Sequence, residues 1–335
     1  MSRYQGCALR ILGNVPEAQP MDDTVETLEQ PPARRGVVPR HRGLVRGLAF
    51  LPVVCFSPFL ADLAKFSWGS ELFSHILLIP FIVGFLVWEK RSSLPRPVPG
   101  ASFSVFLSLA SGFVLLSAYL ILKFNGAALT EADSLVLVTA SFLLFEYAAL
   151  AFRFGLPFLR VIAFPIAFLI FIVPFPEAVT NVLETASKYA SAELYAWMME
   201  LSRATFFRDG LVFALPNLTI EVAQECSGIR SSFVLFLTSL LAGHMFLRNG
   251  RNKVLLAFLV FPLGILRNAF RIYVLSMLSV HWDPGVIHSP LHHRGGPIFF
   301  ILSLIPFFGA LFWLRRAEDR HGPLPSSPLA THSVR

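Results

Sequence analysis

Three short stretches of this chain hold side chains that could do nucleophilic and acid–base chemistry. "VAQECSGIRSS" (222–232) sets Cys226 beside Glu225, Ser227 and Gly228 at the mouth of an apolar run. A thiol is a nucleophile only as thiolate, and a helix start lowers its pKa by aiming free amides at the sulfur, as do nearby cations. "LRNAFRIYVL" (266–275) carries Arg267, Asn268 and Arg271. At helical spacing the two arginines share a face, with Asn268 within a turn of Arg271. "VIHSPLHHRGGPIFF" (286–300) offers His288, His292, His293 and Arg294. Imidazole is the side chain that takes or gives a proton near neutral pH. A thiol, an imidazole and a planar cation make up a nucleophile, a general acid/base and a group that stabilises an oxyanion or orients a substrate. Cys7 and Cys55 have no such neighbours and read as small hydrophobes. Three scattered cysteines suit neither a disulfide framework nor a paired metal motif, so neither metal nor cofactor is expected.

The elements that must position these groups follow from composition. Of 335 residues, 55% are hydrophobic, 34 are Phe and only 15% are charged, far from the roughly 25% charge of a soluble domain. The mean hydropathy is +0.63. These values predict an all-α, polytopic membrane protein whose partner is the lipid bilayer. The net charge of +7 lies in short clusters between apolar segments, which marks membrane topology rather than a nucleic-acid face. About 20 apolar residues cross roughly 30 Å of hydrocarbon. Eight stretches qualify, at about 46–64, 72–88, 101–122, 134–152, 158–175, 229–247, 254–275 and 297–314. The polar, proline-containing residues 1–47 are expected to form a disordered cytoplasmic tail and do not read as a cleavable signal peptide. Residues 48–314 form the membrane domain, and 315–335 a second cytoplasmic tail.

Loop charges assign the sides. Arg40, Arg42 and Arg46, "WEKRSSLPRP", "FRFGLPFLR", "FLRNGRNK" and "LRRAEDR" all fall inside when "KFSWGSE" and "KFNGAALTEAD" fall outside. The segment from 176 to 228 is then extracytoplasmic, with a short amphipathic helix in "EAVTNVLETASKYASAELYAWMMELSRATF" and a hairpin in "DGLVFALPNLTIEV" before the sixth span. Cys226 sits at the outer end of the sixth span. Arg271, some seventeen residues into the seventh, lies about 25 Å from the cytoplasmic side, at the same depth. The imidazoles lie in the outer loop before the eighth. The chemistry thus gathers on the outer face.

"CSG" (226–228), "NAFRI" (268–272) and "HHRGGPIFF" (292–300) resemble the Cys, N-x-x-R-I and H-x-x-x-G-x-x-x-F signatures of the exosortase/archaeosortase family, and "SHILLIP" (74–80) and "FPIAFLIFIVPFP" (164–176) resemble its early and fifth spans. The resemblance covers about residues 48–314. It implies a membrane-embedded, sortase-like cysteine transpeptidase or protease in a bacterial inner membrane, with its active site facing the periplasm. The substrates it implies are exported, membrane-anchored proteins that end in a sorting signal: a Pro-Glu-Pro-like motif, a transmembrane helix and a basic cluster. Carried over by position, the nucleophile is Cys226, the arginine Arg271 and the histidine His292, which stands four residues before Gly296. Ser227, Asn268, Arg267 and His293 are supporting candidates. The motifs leave two other readings open: a pure hydrolase of the same signal, and a non-catalytic transport or polysaccharide-export component.

Overall fold

The computed structural model describes residues 50–70, 72–216, 218–222, 228–282 and 296–320. Among them the chain is mainly helical. Five helices are long and apolar enough to cross a membrane: α4 (Phe103–Phe124), α5 (Glu131–Phe154), α9 (Ile229–Phe246), α10 (Gly250–His281) and α11 (Gly296–Arg320). A sixth is counted if Ala163–Ile172 and α8 (Glu177–Leu201), bent by 88° relative to each other, are one span. The three other stretches expected to cross are not continuous helices. The first divides into α1 (Leu51–Cys55) and α2 (Ser57–Gly69), each with a proline in its first turn. The second is a 3₁₀ turn, Ser74–Leu78, followed by the eleven-residue α3 (Ile79–Glu89). The fifth is α6 (Leu156–Val161), α7 (Ala163–Phe168) and a 3₁₀ turn, Leu169–Ile172. Apolar composition predicts burial in lipid, but proline removes an amide donor and crowds the preceding turn, which favours a break at these three places, whereas α10 and α11 run on through Pro262 and Pro306.

The segment before α9 holds the expected helix and hairpin, with one strand more than expected. α8 runs for 25 residues, and its first amide donates to Asp133 Oδ1 at 3.0 Å. Its small-residue face, Ser191, Ala192 and Ala196 with Tyr195 and Met199, is buried against α10. The hairpin forms as β2 (Val212–Leu215) paired with β3 (Leu218–Glu221), and β1 (Phe207–Asp209) adds a third antiparallel strand in the order β1-β2-β3. β1 is three residues of mixed polarity, too short for alternation to reveal. Phe213 is fully buried beneath this sheet, edge-on to Tyr195 at 4.7 Å. Tyr195 in turn donates to Ser276 Oγ of α10 at 2.9 Å.

α10 has 32 residues and is about 48 Å long, well beyond the roughly 30 Å of hydrocarbon. Its last third carries α8 and the sheet. The basic loops gather at the other end of the bundle. Val98 and Gly100 donate main-chain bonds to Phe154 and Phe152. His244 stacks on Phe164 at 3.7 Å, within electrostatic range of Lys90 and Lys253. Glu318 of α11 accepts from the amides of Arg248 and Asn249 at 2.8 and 3.0 Å. The basic loops that touch therefore share one end of the bundle.

Candidate functional site

The site builds outward from Gly228, the residue that begins α9. Its φ is +68°, in the left-handed region that glycine enters at little cost. A side chain here would also have no room: a Cβ would lie 2.9 Å from Asn268 Oδ1. The Gly228 carbonyl is heavily used. Arg267 Nη2 donates to it at 2.8 Å, and the hydroxyls of Ser231 and Ser232 donate at 3.1 and 3.0 Å. Arg267 also reaches Ser232 Oγ at 3.3 Å. Asn268 is held from the opposite side, its Nδ2 donating to Ser191 Oγ of α8 at 3.0 Å. α9 and α10 approach closely at this level, where a Cβ on Gly264 would lie 2.3 Å from Ser232 Oγ.

Of the sequence-derived candidates, Arg267, Asn268 and Arg271 are placed on α10. Arg267 and Asn268 are buried, at 7% and 2% exposure; Arg267 bonds to the Gly228 carbonyl and Asn268 packs against the Gly228 Cα. Arg267 does not extend to the membrane surface. Nη2 holds the turn, while Nη1 is buried with no hydrogen-bond partner among the described residues. Arg271 is half-buried one turn further along, and its charge acts on both Arg267 and Arg230. Among the described residues Arg271 is thus within electrostatic range of two further arginines. Cys226, Ser227, His288, His292, His293 and Arg294 lie outside the described residues. Among the described residues no group of three His, Cys, Asp or Glu side chains is arranged to hold a metal ion.

The early-span and fifth-span motifs reach the same place. His75 is buried, with Nδ1 3.1 Å from the Leu72 carbonyl and its ring edge-on to Phe233 at 4.6 Å. Phe171 and Phe175 pack on Phe233 as well, at 6.1 and 5.0 Å. Phe233 lies in the first turn or so of α9, just past the Gly228 turn. Five separated segments of the sequence, "SHILLIP", "FPIAFLIFIVPFP", "TASKYASAEL", "GIRSSF" and "RNAFRI", converge there.

A family model for transmembrane exosortases (Exosortase_EpsH) matches residues 68–309. The chain belongs to the transmembrane exosortase family. The match runs from the end of α2 into α11 and so includes every element around Gly228. Comparison with curated proteins and with solved structures returns no match. Membership carries the coarse activity, a membrane-embedded peptidase or transpeptidase acting on exported proteins.

Sequence reasoning missed Ser191, Ser232, Phe233 and Gly264, which position the site without chemistry of their own. The serines and the glycine carry one weak signal, small residues at helical spacing in apolar helices, which marks close packing between membrane helices.

Proposed function

We propose that this exosortase-family chain cleaves the C-terminal sorting signal of exported proteins with Cys226 as nucleophile, His292 as general acid/base and Arg271 as the cation facing the developing oxyanion. The observation that carries this reading is the clamp on Gly228. Gly228, two positions after Cys226 in the sequence, is bonded by Arg267 and packed on by Asn268, both on the helix that bears Arg271.

In this mechanism the Cys226 thiolate attacks the carbonyl carbon of the scissile amide and charge moves to the carbonyl oxygen. Arg271 donates to that oxygen, as a preorganised donor aimed at developing charge. His292 delivers a proton to the leaving amine, the C–N bond breaks and a thioester forms. An acceptor amine then attacks the thioester, with His292 taking its proton, and the thiolate is restored. Water as acceptor gives the hydrolase variant, and mass spectrometry of the mature C-terminus separates the two by the presence of an added group.

The topology that serves this chemistry has eight crossings, several of them broken, with both ends cytoplasmic and the Gly228 end facing the periplasm of a bacterial inner membrane. A substrate's own membrane helix, held among the spans, fixes the scissile bond near the sulfur and makes the encounter local.

Co-expression with a tailed substrate tests the assignment through the ratio of unprocessed to processed protein. Cys226→Ala should remain in the membrane and process nothing, and His292→Ala should lose about two to four orders of magnitude. Arg271→Lys should lose most activity, because a point charge replaces a planar two-donor fork. Normal processing by Cys226→Ala would end the thiol-enzyme reading.

A further inference from the structure

The three-stranded sheet ends in β3, which has β2 as its one neighbour. The phase of that pairing fixes which main-chain groups remain available. Val222 N–H donates to the Leu211 carbonyl at 3.0 Å, which makes these two a hydrogen-bonded pair. The register sets Glu221 opposite Val212, Ile220 opposite Phe213, Thr219 opposite Ala214 and Leu218 opposite Leu215. Hydrogen-bonded and non-bonded pairs alternate along an antiparallel ladder, so Ile220 and Leu218 direct their N–H and C=O toward β2. The N–H and C=O of Thr219 and Glu221 point the other way. Among the described residues nothing takes them up.

The strand is nonetheless firmly seated. Leu218 and Ile220 pack down onto the cluster formed by Tyr195, Met199, Phe213, Val222 and Ala269. Thr219 and Glu221 are exposed. β3 is thus a rigid edge carrying two residues' worth of open ladder bonds, and such an edge is a template for another extended chain. It also leads directly to the nucleophile. Glu221 precedes Cys226 by five positions, a reach of at most about 17 Å of extended chain.

We propose that the outer edge of β3 is the docking strand for the extended segment of the tailed substrate, which adds to the sheet as a fourth strand through main-chain bonds at Thr219 and Glu221. This rests on the reading of the chain as a thiol peptidase of tailed proteins. An extended peptide is the occupant that fits. The edge is too short to hold a second folded copy of the chain, and a peptidase needs its scissile bond presented on an extended backbone. Main-chain pairing sets direction and register while leaving side-chain choice to the rest of the site, and release stays easy because few bonds are made.

The test begins with wild type and Cys226→Ala on one tailed substrate. Absence of processing by wild type, or its persistence in Cys226→Ala, defeats the assigned activity and is distinct from any failure of docking. Disulfide trapping then probes the edge in a Cys226→Ala chain with Cys7 and Cys55 replaced by serine. Thr219→Cys and Glu221→Cys are each combined with single cysteines walked along the substrate's extended segment. The expected pattern is efficient trapping of Thr219→Cys by one substrate position and of Glu221→Cys by a position two residues away, as strand pairing demands. No trapping, trapping without the two-residue step, or a disulfide between two copies of the enzyme overturns the proposal. In the active enzyme, Thr219→Pro deletes one outward N–H and spares the β2–β3 ladder. Processing should fall on the order of tenfold while Cys226 keeps its wild-type rate of alkylation by a small reagent. Processing at the wild-type rate overturns the proposal. Where alkylation also falls, the trapping pattern in the proline-free chain decides alone.

Discussion

At the scale of single residues, the site is organised by a glycine and by groups that do not react. Gly228 supplies a left-handed turn and the absence of a Cβ, and each requirement excludes other residues independently. Gly228→Ala meets both penalties: roughly 1–2 kcal/mol for the left-handed backbone, and a methyl group inside contact distance of Asn268. Gly228→Asn separates them, since asparagine tolerates the backbone but not the lack of space. Both variants should lower thermal stability in detergent and reduce processing, with Gly228→Asn intermediate in stability only. Wild-type behaviour of either would mean that the turn is not held as the structure has it. Arg267 belongs to the same argument. A guanidinium buried to 7% exposure and bonded to a main-chain carbonyl acts on the turn, and the turn carries the thiol's neighbour.

Secondary elements are fastened by carboxylates placed at helix starts. Asp133 takes the first amide of α8, and Glu318 takes two amides and the Asn252 side chain, at 2.8 Å, at the start of α10. Burial pushes the Glu318 carboxyl up, but the amides of Arg248 and Asn249 and the Asn252 side chain outweigh it and hold the group below the ordinary carboxylate range. A lowered folded pKa means that the stabilisation is present above the unfolded value of about 4.3 and is lost as pH falls through the folded value. Hydrogen exchange at Arg248–Asn252 should therefore show protection at neutral pH that fades below about pH 4. Glu318→Gln should remove about 1 kcal/mol of that protection at neutral pH, because a neutral amide oxygen replaces a charged acceptor. Equal protection in the two proteins at pH 7 would show that the contact does not hold the loop. On the opposite end Arg208 donates to Glu193 Oε2 at 3.0 Å and lowers that carboxyl's pKa, but the pair is exposed and ties β1 to α8 only weakly.

For the whole molecule, the two ends differ in kind. One collects basic loops, with Trp88 and Trp313 exposed nearby, and the other collects α8, the sheet and the Gly228 clamp. Exposed tryptophans at this level suit a membrane interface. With native cysteines replaced, a membrane-impermeant thiol reagent should label a cysteine introduced at Ala127 and should not reach one at Ser93 or Asn249. Labelling of either of the last two from outside would invert the sidedness on which a periplasmic site depends.

The sequence by itself determined the membrane class and the family, and it assigned an expected side to each loop and marked the segments with candidate chemistry. Hydropathy and loop charge are sums over many residues, so they survive ignorance of packing. Short motifs likewise marked Arg271 and Asn268 because an ionisable or amide group inside an apolar helix is costly and stands out. Only the tertiary structure decided the rest. Three expected spans divide into shorter helices with prolines in their first turns, the small-residue face of α8 packs on α10, and a third strand joins the hairpin. It also made Arg267 a clamp rather than a surface cation. That role exists because Gly264 lets α9 approach α10 and Gly228 turns its carbonyl toward the guanidinium, a relation between residues 39 positions apart that no local pattern records.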